Sequence, residues 1–303
     1  MSKIITPAIV KIEKRKRKLN GKQISTTPTK EAWRRFKRNR LAIAGACVFI
    51  FLLLIALLAP FLAPEGFDAQ NYKETLKTPS AAHWFGTDGY GRDILSRIFW
   101  GARVSLPIGL ITVCVNLILG GLLGACAAFF GGGTDMVIMR LLDIIAAIPP
   151  TLMAIAVCAA LGSGMVNLIL ALTISYIPLY ARVVRAAVLT VRGNDYIEAA
   201  SSIGASTLRQ ILVHMIPNAL GPIIVQSTFN VASVILVVSG LSYLGLGLAP
   251  PTAEWGAMLS SGREYIRQYP HIILFPGFVI MLTVLSLNMF GDGLRDALDP
   301  RLK

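Results

Sequence analysis

Six long apolar runs constrain this chain more than any other feature: about residues 41–63, 106–130, 137–161, 165–184, 220–248 and 272–290. At about 1.5 Å of rise per helical residue, each is long enough to cross a hydrocarbon core of roughly 30 Å. A backbone in lipid must satisfy its own polar groups, so unbroken apolar runs of this length cross as helices. The expected fold is an all-α membrane protein with six transmembrane helices. A composition of 54% hydrophobic and 15% charged residues excludes an ordinary soluble domain.

Charge sets the expected orientation. Residues 1–40 hold 14 of the 29 Lys and Arg against Glu13 and Glu31, so they carry +12 of the net +13. Basic residues before a first span stay on the cytoplasmic side, and six spans then leave both termini there. The loop after the fourth span agrees, with Arg182, Arg185, Arg192 and Arg209 against Asp195 and Glu198, whereas residues 64–103 and 249–271 each sum to zero. The basic run from Lys14 to Lys18 and few apolar neighbours predict no fold before about Lys30. Trp33 and Phe36, among Arg34, Arg35, Lys37, Arg38 and Arg40, predict a short helix on the inner membrane surface, in contact with lipid. So long a tail argues against a cleaved signal peptide. So few apolar residues argue against a folded nucleic-acid-binding domain.

Between the fourth and fifth spans, Asp195, Glu198, Ala199, Ala200 and Gly204 predict a short helix, with Asp195 as N-cap, Glu198 closing a capping box and Gly204 as the stop. Thr207 and Gln210 predict a second, which Pro217, after Ile216, should end or kink. The small residues leave a flat surface that another protein's backbone can approach. Glu198-Ala199-Ala200, Gly204 and Ile216-Pro217 together resemble the EAA signature of the membrane subunits of bacterial ABC importers. The resemblance implies a coupling helix seated in a cleft of an ATP-binding subunit.

On the outer side, Gly86, Thr87, Asp88, Gly91, Arg92 and Asp93 read as a tight turn into a helix capped by Asp93. Ser96 and Arg97 lie in its first turns, and Ile94, Leu95, Ile98 and Phe99 share a face. Asp93 and Arg97, one turn apart, are expected to pair. This stretch resembles the hallmark of one importer branch, the second membrane subunit of dipeptide, oligopeptide, glutathione and nickel systems. Leu241 to Gly247, Glu254-Trp255-Gly256 and the ending from Gly291 to Pro300 resemble the same branch, so the likeness covers residues 33–303.

The resemblance implies a type I ABC importer permease fold in a bacterial plasma membrane. Its expected divisions are a basic tail with an interfacial helix (1–40), a first span and outer segment (41–103), a permease core (104–292) with its coupling segment at 195–217, and a cytoplasmic ending (293–303). The implied partners are a homologous permease subunit forming a heterodimer, two ATP-binding subunits and an extracytoplasmic solute-binding protein. The implied cargo is peptide, with glutathione and nickel ions served by near-identical signatures.

Chemistry within the chain is not expected. No GxxxxGK[ST] phosphate loop occurs, and Gly245-Leu-Gly247 lacks a Rossmann context, so ATP and magnesium belong to the partner subunits. Cys47, Cys114, Cys126 and Cys158 lie in apolar runs and His83, His214 and His271 are scattered, which yields neither a disulfide nor a metal site. Without catalytic residues, the chain reads as a permease and no enzyme.

Gln226, Asn230 and Ser233 stack on one side of the fifth span and are candidates to line a pathway, with Asn116, Thr173 and Asn288 behind them. Hydrogen bonding between helices is the other use of such residues. Arg140 and Asp143 are expected to pair, Pro149-Pro150 and Pro178 to kink their spans, and Gly120, Gly121 and Gly124 to permit close packing. A proton-coupled secondary transporter would need a mid-membrane ionisable relay and internal repeats, and neither is evident.

Overall fold

The computed structural model describes residues 28–298; the Lys14 to Lys18 run and the Asp299-Pro300 ending fall outside them. The described residues form helices without a β-sheet: α1 (Pro28–Phe36), α2 (Arg40–Leu62), α3 (Ile94–Phe130), α4 (Gly132–Ala146), α5 (Pro150–Leu161), α6 (Met165–Arg192), α7 (Asp195–Ser202), α8 (Thr207–Tyr243), α9 (Trp255–Gly262) and α10 (His271–Leu298). Five of these, α2, α3, α6, α8 and α10, are long and apolar enough to cross a membrane. The bent pair α4 and α5 makes up to six.

Several expectations change in detail. The third span is broken, with α4 and α5 meeting at 75°. The cause is Pro149-Pro150, which removes two consecutive helix donors and bars the preceding residue from helical geometry. The helix expected at 94–99 is no separate element but the first turns of α3, which runs 37 residues through Pro107. At about 1.5 Å per residue that is roughly 55 Å, so α3 is long enough to project well beyond the hydrocarbon core. The expected divisions at 103/104 and 292/293 therefore fall inside α3 and α10. Helix α6 likewise continues past residue 184, through Pro178, to Arg192.

The bundle is organised on α3, which packs most extensively against α6 and also touches α2, α8 and α10. Glycine makes this approach possible. A Cβ at Gly120 would lie 2.8 Å from the Tyr180 Cβ, and one at Gly124 would overlap the Ala181 carbonyl. Leu106, Ile108, Leu172, Val234 and Ile235 are fully or almost fully buried where α3, α6 and α8 meet. Asp143 pairs with Arg182 of α6 at 2.8 Å, not with Arg140, because the α4–α6 crossing brings the guanidinium to it. Arg185 holds Asp135 through two 2.6 Å hydrogen bonds, so two ion pairs tie α4 to α6.

Candidate functional site

The segment between α6 and α8 forms a knob anchored from below. Ile197 and Ala200, three residues apart on α7, are buried, and Ile197 packs with Val188, Val191, Ile211, Met215 and Ala219. The segment also leaves large apolar side chains open: Ile203 is 85% exposed, and Tyr196, Leu208, Leu212 and Val213 are exposed among polar neighbours such as Glu198 and Arg209. Gly204, at φ +77°, ends α7 as its position in the sequence predicts. The Gly204 N–H donates to Ser201 and the Ala205 N–H to Ala200, the paired bonds of a Schellman stop.

Both capping boxes fail. Asn194, not Asp195, precedes α7, and Ser206, not Thr207, precedes α8, neither with a side-chain cap bond. Each helix starts one residue earlier than the box requires, which puts Asp195 and Thr207 inside it. Gln210 instead donates to the Ala205 carbonyl. Glu198 is exposed at the front of α7, and Ala199 beside it is open. Pro217 ends nothing. A π-helical turn over Gln210–Met215 precedes it, and the Ile216 N–H bonds the Ile211 carbonyl five residues back. The wider turn gives the proline ring room, so α8 continues unbroken.

The motif at residues 86–97 is a hydrogen-bonded knot. Asp88 accepts from Arg92 Nε at 2.7 Å and from the backbone N–H groups of Tyr90 and Arg92. Asp93 caps α3 by accepting from the Ser96 N–H and hydroxyl, both at 2.7 Å. Arg97 does not pair with Asp93; His83 takes that carboxylate at 3.0 Å, and Arg97 donates to the Phe67 and Pro251 carbonyls. Thr87 receives the Lys77 N–H and bonds the Glu74 carbonyl. Gly86 and Gly91 supply left-handed turns at φ +79° and +69°. His83 also reaches Glu74 at 3.3 Å. Burial alone would lower its pKa, but the hydrogen bonds to Asp93 and Glu74 outweigh that and raise it.

Sequence reasoning assigned no role to Glu254, which is fully buried. It caps α9 by accepting from the Gly256 and Ala257 N–H groups, and Ser105 donates to it from α3. Burial pushes its carboxyl pKa up. Its partner Ser105 is 149 residues away, so only the local Glu-Trp-Gly signature could have flagged it.

The structure separates the pathway candidates. Gln226 donates to Asn230 at 3.1 Å, so these two share a face of α8. Ser233 is exposed and donates to its own helix at Phe229. Asn116 is fully buried between helices, donating to the Thr112 carbonyl, and its Oδ1 has no partner among the described residues. Thr173 is also buried, and Asn288 is half-buried on α10. The Tyr180 hydroxyl, missed from the sequence, faces Asn230 and Ser227.

A bundle of apolar spans thus carries a small knob with exposed apolar side chains between α6 and α8. Residues 116–303 match the family model of the binding-protein-dependent transport system inner membrane component, and residues 27–79 that of the N-terminal TM domain of oligopeptide transport permease C. The chain is 45% identical, over 92% of both chains, to the dipeptide transport system permease protein DppC of Alkalihalophilus pseudofirmus. It is 44% identical to the glutathione transport system permease protein GsiD of Pectobacterium atrosepticum, over 91% of this chain and 92% of that one. Among solved structures it resembles an inward-facing MetNI methionine ABC transporter, with a TM-score of 0.55 and 17% identity over 68% of this chain and 96% of that one. The chain therefore belongs to the binding-protein-dependent inner membrane components, as a dipeptide/oligopeptide-type ABC importer permease with the type I fold.

Proposed function

We propose that this chain forms half of the pathway by which an ATP-driven importer takes up peptides delivered by an extracytoplasmic binding protein. The observation that carries the coupling part is the exposure of Ile203, Tyr196 and Leu208 on a segment anchored in the bundle by Ile197 and Ala200. Free apolar surface of this kind beyond the spans is a docking site in waiting, and an ATP-binding subunit is the partner that membership in this family supplies. ATP and magnesium are bound there, and this chain performs no chemistry. A homologous permease completes the pathway, and two ATP-binding subunits complete the motor. Both termini and the knob lie in the cytoplasm.

Closure of the motor subunits pushes α7. Ile197 transmits the push to the cytoplasmic ends of α3, α6 and α8, and the spans rock. Gln226 and Asn230 are the residues we place beside the solute. Glu198, Ala199 and Gly204 form the front of the docking surface, with Asp195, Ile216 and Pro217 framing it. The similarity to relatives named for dipeptides supports peptide cargo, and near-equal similarity to relatives named for glutathione keeps that tripeptide as the second reading.

The test is uptake from one mixture of dipeptides, longer peptides, glutathione and nickel ions by a deletion strain and its complemented parent, read by mass spectrometry. Selective loss of peptides supports the proposal. Loss of glutathione alone establishes the second reading, and loss of nickel alone refutes both.

A further inference from the structure

Helix α1 packs on α10, with Phe36 as its one buried side chain among the described residues, and leaves most of its cations exposed. Phe36 is buried against Ala42 of α2 and Ala297 of α10, with its ring edge-on to Phe290 at 5.7 Å. Gly293 allows the fit, since a Cβ there would overlap Ala42. Trp33 stacks on Phe36 at 5.9 Å yet is 59% exposed, and Lys37 lies over its ring at 5.1 Å. Lys30, Arg34, Arg38 and Arg40 are exposed beside it. None of Lys30, Arg34, Lys37, Arg38 and Arg40 has a carboxylate partner among the described residues.

Arg40, the start of the apolar span, lies four positions after Phe36, a reach of at most about 14 Å. The cations and the exposed indole therefore stand at the level of the lipid headgroups. A tryptophan beside unpaired ammonium and guanidinium groups matches the phosphate layer of a bilayer, the ring lying at the acyl boundary and the cations on the phosphates.

We infer that α1 is a binding platform for anionic phospholipid headgroups at the cytoplasmic leaflet, fixed to the ends of α2 and α10 through Phe36. The platform ties the lipid surface to α10, which in turn packs on α8 and so on the knob-bearing helix. The inference rests on the cytoplasmic placement of residues 30–40. In detergent added lipid reaches every face of the transporter, which makes the test independent of that placement.

The experiment uses the full chain in the assembled transporter, in neutral detergent, titrated with short-chain phosphatidylglycerol or phosphatidylcholine and followed by Trp33 fluorescence and native mass spectrometry. Phosphatidylglycerol should bind in preference to phosphatidylcholine and weaken at high salt. Arg34→Gln, Lys37→Gln and Arg38→Gln should each weaken it about fivefold, with unchanged melting. Equal binding of the two lipids, or variants that bind as the parent does, overturns the inference. Variants that keep the lipid but lose the ATP-binding subunits overturn it in favour of a protein contact.

Discussion

Gly204 allows the proposed mechanical role of the knob to be separated from its stability. Its φ of +77° lies in the left-handed region, and a Cβ built there meets nothing within 4 Å. Alanine at this position therefore carries only the backbone cost, about 1–2 kcal/mol, with no clash. Leucine carries the same cost and adds a side chain projecting beside Ile203 into the proposed docking surface. Asparagine, which tolerates this backbone, adds bulk with less strain.

The three variants are compared in proteoliposomes for melting temperature, ATPase activity and ATP-dependent peptide uptake. Gly204→Ala and Gly204→Leu should melt alike. Only Gly204→Leu should lose uptake, by about tenfold or more, the consequence of losing roughly 1.4 kcal/mol of docking. Gly204→Asn should fall between the parent and leucine. Normal uptake by Gly204→Leu would refute the docking role, and equal impairment of Gly204→Ala would show that backbone strain, not contact, is at issue.

Three further outcomes follow from the packing. Gly124→Ala forces a Cβ into the Ala181 carbonyl and should destabilise the chain by about 1–3 kcal/mol in a detergent melt, whereas Gly133→Ala, which meets nothing within 4 Å, should be silent. Glu254→Ala strips the acceptor from the Gly256 and Ala257 N–H groups and the Ser105 hydroxyl. At about 1–3 kcal/mol per buried donor it should lower the melting point sharply, with Glu254→Gln milder. The His83 pKa is raised above 6.5 in the folded chain, so its contribution is complete below that value and is lost as pH rises through the folded pKa. Amide exchange of residues 76–93, corrected for intrinsic rates, should quicken across that window in the parent and stay level in His83→Gln.

The spans were legible in the sequence because burial in lipid leaves an unbroken apolar run, and the break at Pro149-Pro150 was legible because proline acts locally. Gly204 and the Asp93 cap were legible for the same reason: each is decided within five residues. The ion pairs were not. Asp143 found Arg182 and Asp93 found His83, because α4 crosses α6 and the loop before α3 folds back onto it, and no local spacing reports either approach. Asp195 and Thr207 failed as caps by one residue, the margin at which Asn194 and Ser206 compete for the same place. Glu254 was hidden because its hydroxyl partner comes from another span. The exposure of Ile203 could be read only once Ile197 and Ala200 were seen to take the buried side.

The most direct test of the coupling claim is a site-directed cross-link in native membranes. Cysteine is placed at Ile203, on the knob, and in a second chain at Tyr72, in the outer segment, each in a background with Cys47, Cys114, Cys126 and Cys158 replaced. A short maleimide–benzophenone reagent, its maleimide on the introduced thiol and its benzophenone photo-inserted into a neighbouring C–H bond, should join position 203, and not 72, to the ATP-binding subunit, in a yield that changes when ATP is bound. A cross-link from 72, or none from 203 in a transporter that still imports peptide, would contradict the account.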